Sequence, residues 1–205
     1  MIPDWLHWAQ QLQAIAQNGL TYALGDYDRE RYQQIRDIAN QILEAQTGEP
    51  AARFEAAFAM EQGYSTPKVD VRAAVIRDRR ILLVREREDG CWTLPGGWAD
   101  IGQSPAESVV REVREESGFE VRAVRLIAVL DRNRHPHPPI PYHAFKMFFL
   151  CELTGGEASA SFETTGVDWF APDALPSLSL TRVLPEQIAM CFRYRADPAL
   201  PVLFE

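Results

Sequence analysis

GGWADIGQSPAESVVREVREESGF, residues 96–119, joins a glycine pair to a helix whose two ends are both marked. Ser104 is a good N-cap, Pro105 suits the first helical position, and Glu107 completes an S-x-x-E capping box. Gly118 supplies the residue that ends a helix in the left-handed conformation. On a wheel of about 100° per residue, Ala106, Val109, Val110, Val113 and Ser117 share one side. Glu112 and Glu116 lie together at one edge of that stripe, with Glu115 one step further out. Arg111, Arg114 and Glu107 take the other edge. An i, i+4 pair of like charges costs a helix about 0.2–0.5 kcal/mol. A helix that keeps such a pair beside its buried face usually has a cation to satisfy it. A solvated acidic face is the simpler account of an isolated acidic cluster. The glycine turn and the two caps favour the cation.

These residues resemble the motif of the Nudix hydrolases, G-x5-E-x7-R-E-U-x-E-E-x-G-U, where U is a bulky aliphatic or aromatic residue. Gly97, Arg111, Glu112, Val113, Glu115, Glu116, Gly118 and Phe119 match it, and Gln103 stands where the family has its first glutamate. The resemblance implies an α/β/α sandwich with a mixed sheet over residues 68 to about 197. It also implies hydrolysis of a nucleoside diphosphate linked to a second group. A hard divalent cation such as Mg2+, or Mn2+ in its place, would take oxygen ligands and be completed by substrate phosphates. Glu112 and Glu116 are the expected direct ligands, with Glu115 on a second ion or acting through water, and Gly97 where backbone comes close to the metal. Arg111 is expected to orient the carboxylates, with Glu115 and Arg111 in the catalytic set. Many relatives take a general base from a later loop, where Glu163 stands in SFETTGVDWF; an exposed loop acid is the equal alternative. Gln103 keeps hydrogen bonding but loses charge, which opens the alternative of a nucleotide-binding sensor without catalysis. Asp100, three residues earlier, is able to restore negative charge.

Upstream, residues 1–63 read as wholly helical. Trp5, Trp8, Ala9, Leu12, Ala16 and Leu20 fall at helical spacing after Asp4, a candidate cap, and the helix is expected to end near Asn18-Gly19. A second helix begins near Tyr27, and a third, AARFEAAFAMEQG, stops at Gly63. Three helices this short are expected to pack on another surface or on a second copy. Residues 64–67 form a linker, and the enzyme domain is expected over 68–205. KVDVRAAVI, ILLVRERE, EVRAVRLIAVLDRN, YHAFKMFFLCEL and GVDWF read as strands, and a closing helix starts or breaks near Pro185. The whole is therefore an α/β fold preceded by a small all-α region.

Candidate substrate contacts lie outside the motif. Arg72 and Arg85 sit on strands, where phosphate contact is the minority case. RNRHPHPPIPYHAFK, from Arg132 to Lys146, is stiffened by four prolines and presents His135, His137, Tyr142, His143 and Lys146. Its H-x-H lacks a fourth ligand at zinc spacing. This loop and the helical extension resemble the Nudix group that includes CDP-choline pyrophosphatase, whose members act on CDP-choline or ADP-ribose-like compounds and tend to form homodimers.

The chain has 205 residues and a net charge of −8, which argues against a general DNA or anionic-membrane surface. Cys91, Cys151 and Cys191 are odd in number and widely spaced, so no disulfide framework or zinc knuckle is expected. The N-terminus lacks a basic segment followed by an apolar one, and a soluble cytoplasmic protein is the expectation.

Overall fold

A computed structural model describes residues 3–59, 61 and 63–205. The chain divides into two compact units, one of residues 1–67 with 139–143, the other of 68–138 with 144–205.

The first unit holds α1 (Asp4–Tyr22), α2 (Asp26–Thr47) and α3 (Ala51–Ala59). Leu6, Ala9, Leu43 and Phe54 form its core, with Trp5, Ile42 and Phe58 against it. Asp4 is the first helical residue instead of the cap, which falls on Pro3 without a side-chain hydrogen bond. Nor does α1 stop at Gly19. A Cβ there would lie 2.2 Å from the Tyr32 ring, so the glycine serves α1–α2 packing instead of chain termination. The end predicted for the third helix runs onto residues 60 and 62, outside the described residues. Segment 139–143 packs within this unit: Gln10 Nε2 donates to Ile140 O at 3.2 Å, and Tyr142 meets Phe58 edge-on at 5.5 Å.

The second unit is built on β1 (Lys68–Arg77), β2 (Arg80–Glu86), β3 (Trp92–Thr93), α4 (Pro105–Ser117), β4 (Phe119–Asp131), β5 (Ala144–Gly156), β6 (Thr164–Phe170), α5 (Pro185–Ala196) and β7 (Leu203–Phe204). The sheet runs β3-β2-β1-β5-β4-β7, with β6 also on β2. It is mixed: β1–β5 and β4–β7 are parallel, the other pairs antiparallel. Alternation along β1 splits the core in two. Val71, Ala73 and Val75 join Val109 and Val113 of α4 on one face. Ala74 joins Ile188 and Cys191 of α5, with Ile81, Ile127 and Phe148, on the other. Helices therefore cover both faces. The two-residue strands β3 and β7 are too short for any periodicity to announce them. Among the described residues, no helix is long and apolar enough to cross a membrane.

Candidate active site

The helix α4 is fixed at both ends. Ser104 Oγ accepts from Glu107 N at 3.2 Å, and the Glu107 carboxylate accepts from Ser104 N at 2.8 Å. Gly118, at φ +73°, closes the other end by donating to Arg114 O. These caps set the helical phase, and the phase sets which glutamates turn inward. Glu116 is 5% exposed, while Glu115 keeps half of its side chain in solvent.

The glycine turn lies against that inward edge. Pro95 and Gly97 carbonyls accept from Ala73 N and Val71 N at 2.9 and 2.8 Å, so the loop is stitched to β1. Gly96 has φ +140°, and a Cβ there would lie 2.0 Å from Val71 O. Only glycine fits. In this geometry Gly96 N donates to Glu116 Oε2 at 2.8 Å. A Cβ on Gly97 would meet the Glu112 carboxylate at 3.3 Å, so backbone and carboxylate face one another directly.

Electrostatics marks the same spot. Burial pushes Glu116 up to about 8, with Glu112 and Glu86 adding to the rise and Arg72 and the Gly96 amide opposing it. Burial also raises Glu112, against the pull of Arg111. Two carboxylates held this way are under-compensated without a cation. Among the described residues, no three His, Cys, Asp or Glu side chains close into a cage of their own. Two carboxylates and a carbonyl with a spare lone pair suit a hard ion that keeps waters and takes its remaining ligands from phosphate.

Arg111 gathers the outer side. It reaches Glu115 at 2.6 Å, Glu112 at 2.8 Å and Asp100 at 2.8 Å. Its Nε donates to Gln103 Oε1 at 3.2 Å. The carboxylate of Glu107 serves the cap, not this arginine. Glu163 is exposed in the loop before β6. Its neighbour Thr164 donates to Glu116 O at 2.8 Å, which ties that loop to the end of α4.

The other predicted positions scatter. Arg85 is exposed and donates to Gly90 O at 2.8 Å. His135 pairs with Glu205 at 3.3 Å. Tyr142 and half-buried His143 belong to the helical unit, Tyr142 donating to Ala57 O at 3.4 Å. Arg72 and Lys146 are buried, not on a rim: both pair with Asp70, and Arg72 also donates to Leu94 O at 3.1 Å. Register explains it, since Asp70 sits opposite Lys146 in the β1–β5 pair.

His137 is likewise inside. Its Nδ1 lies 2.7 Å from Leu180 O and its Nε2 3.0 Å from Gln187 Nε2, the pattern of a neutral ring with the proton on Nδ1. Burial lowers it from 6.5 to about 3. Between those values the unfolded chain binds a proton that the folded chain does not, so stability falls as pH drops through the window. The stability advantage of the native protein over His137→Asn should shrink below pH 6.5 by roughly 1 kcal/mol per pH unit. Urea midpoints at pH 7, 5.5 and 4.5 would read this; a constant difference would contradict it.

Besides Asp70, two buried charges went unforeseen. Glu86 ends the apolar strand ILLVRE, and alternation places it inward with Leu82 and Val84; Arg182 reaches it at 3.3 Å. Arg132, 2% exposed, donates to Pro138 O at 2.7 Å and to Thr181 O at 3.3 Å, pinning the histidine-proline segment. The alternation of β2 was the available signal for Glu86. For Arg132 there was none.

Comparison with known proteins agrees with this geometry. The family profile described as NUDIX domain matches residues 66–190, and one described as UDP-X-like, N-terminal oligomerisation domain, matches residues 3–58. A Bacillus subtilis (strain 168) protein, provisionally named ADP-ribose pyrophosphatase YjhB, is 43% identical over 201 residues, 98% of this chain and 97% of its own. A crystal structure of a UDP-X diphosphatase superposes with a TM-score of 0.65 at 32% identity over 98% of both chains. An ADP-ribose pyrophosphatase structure from Streptococcus suis 89-1591 gives 0.61 at 39% identity, over 68% of this chain and all of that one. The Nudix family uses divalent metal ions, the kind of ion the carboxylate pair suits. The chain belongs to the Nudix hydrolase family and is a pyrophosphohydrolase of nucleoside diphosphate-linked compounds.

Proposed function

We propose that this enzyme uses Mg2+, or Mn2+ in its place, to hydrolyse the pyrophosphate bond of a small nucleotide conjugate. ADP-ribose is the first substrate to test and CDP-choline the second. The observation that carries the metal is the buried Glu116 carboxylate, held to the glycine turn by Gly96 N beside Glu112. The choice of ADP-ribose is supported by the full-length likeness to YjhB. UDP-sugars join the panel because of the UDP-X diphosphatase likeness.

In this scheme Glu112 and Glu116 hold the ion, with the Gly97 carbonyl, and Arg111 orients Glu112 and Glu115. When bound, the ion would neutralise charge on the two phosphates and lower the pKa of the attacking water. Glu163 takes the proton that the water loses. The new bond is from water oxygen to phosphorus, and the phosphorus–bridging-oxygen bond breaks, giving AMP and ribose 5-phosphate from ADP-ribose. Exposed Arg85 and the half-buried ring of His135 are the remaining candidates for substrate contact in this unit.

The helical segment, residues 1–63, is proposed as the dimerisation element, joined by 64–67 to an enzyme domain over 68–205. Trp8, Ile15, Tyr22, Tyr27 and Ile38 expose between half and four-fifths of their surface on it, an apolar area suited to a second copy. Light scattering should give the mass of a homodimer.

Chromatography of reactions with ADP-ribose, UDP-glucose and CDP-choline, with and without Mg2+, tests the scheme. Mg2+-dependent AMP from ADP-ribose is the expected result. Absence of product from all three, in protein that still melts cooperatively, would overturn it.

A further inference from the structure

The motif's departure at Gln103 leaves Arg111 one charged partner short, and the loop supplies another. Gln103 Oε1 is shared between Arg111 Nε and Ser108 Oγ, both at 3.2 Å. It is a neutral acceptor with both lone pairs taken, and it brings no charge to the guanidinium. Asp100 sits on the same turn, closed by Gln103 N donating to Asp100 O at 3.3 Å, and its Oδ2 lies 2.8 Å from Arg111 Nη2. That same Nη2 holds Glu112 Oε1 at 2.8 Å, while Nη1 holds Glu115 at 2.6 Å. Arg111 is therefore braced from the loop side by one amide and one carboxylate, and spends its remaining donors on two glutamates of α4.

We propose that Asp100 is a positioning residue. Its carboxylate supplies the negative charge that a glutamate at position 103 would bring to Arg111, and so keeps Arg111 aimed at Glu112 and Glu115. The inference rests on the metal-site reading above. The Asp100 contact joins two ions at 2.8 Å, whereas the Gln103 contact joins the cation to a neutral amide at 3.2 Å, so Asp100 outweighs Gln103 in setting the guanidinium plane. The side chain of Asp100 is 61% exposed, and exposed ion pairs add little to global stability. Its effect should thus appear in turnover and not in unfolding, a split that a merely structural residue would not give.

Charge transposition tests this. Asp100→Asn should lower kcat for ADP-ribose at saturating Mg2+ by roughly tenfold, with KM and the urea midpoint nearly unchanged. Gln103→Glu in the Asp100→Asn background should restore kcat to within about threefold of native. An Asp100→Asn enzyme with native kcat would overturn the proposal. So would a double variant that stays as slow as the single one. A second readout needs neither metal nor substrate. In the metal-free protein, the Arg111 Nε–H resonance should shift or broaden in Asp100→Asn and return in the double variant. If the native protein turns over none of the panel, the substrate reading has failed, and this resonance still decides the role of Asp100: an unmoved peak refutes it.

Discussion

Glu116→Gln is expected to lower kcat on the order of a thousandfold, equal to about 4 kcal/mol of transition-state stabilisation. The amide keeps the side-chain volume and an acceptor for Gly96 N but loses the charge that makes the proposed metal ligand. The same substitution should act oppositely on the metal-free fold. The Glu116 carboxyl is raised from 4.5 to about 8 by burial. A folded-state pKa above the unfolded value means a contribution present below pH 4.5 and lost as pH rises toward 8. Without metal, the glutamine variant should therefore be more stable than the native protein at pH 8–9, by on the order of a few kcal/mol. Added Mg2+ should raise the melting temperature of the native protein and leave that of the variant unmoved. Substantial turnover by the variant would refute the ligand assignment. A variant less stable than native at pH 9 without metal would refute the electrostatic one.

Asp70→Asn should destabilise the enzyme by about 3–5 kcal/mol, because it leaves two buried cations without their carboxylate. Burial alone would raise Asp70, but Arg72 and Lys146 outweigh it and hold the carboxyl below its ordinary value. Lys146 is pushed down by burial despite Asp70. Removing the lysine is a different matter. Lys146→Met deletes one charge and leaves Asp70 bound to Arg72 through Nε at 3.0 Å and Nη2 at 2.8 Å. It should cost about 1 kcal/mol or less, since an apolar chain of similar length suits the site beside Phe148. Urea unfolding of the two variants at pH 7 gives the comparison, and equal losses would count against a shared anion.

The sequence made the motif legible because its caps pin the phase of one helix. Once Ser104 and Gly118 fix where α4 starts and stops, the side each glutamate faces is arithmetic, and Glu112, Glu115 and Glu116 occur in the predicted order of exposure. Arg111, set on the other edge by the same wheel, reaches across to Glu115 and Glu112. What escaped depends on partners far along the chain. Lys146 looked like a loop cation until the register of β5 put it opposite Asp70. The histidine-proline stretch reads as one stiff loop, yet Arg132 to Pro138 packs with the sheet unit and Pro139 to His143 with the helices. Gly19 carries the composition of a helix end, and only Tyr32, thirteen positions on, shows why it is not one.

The parallel pairing of β1 with β5 has a consequence for how the molecule is made. Lys68 finds its neighbour at Ala144, so the centre of the sheet cannot form until β5, through Cys151, has left the ribosome. Until then β1 has the β2 hairpin along one edge and α4 over Val71, Ala73 and Val75, but no partner along its other edge. The buried charges then act as a proofreader of register. A slip by one residue would turn Lys146 away from Asp70 to the opposite, apolar face of the sheet, leaving a buried ammonium without its carboxylate. Late closure of a long loop is slow, and a wrong closure here is one the chain would readily undo.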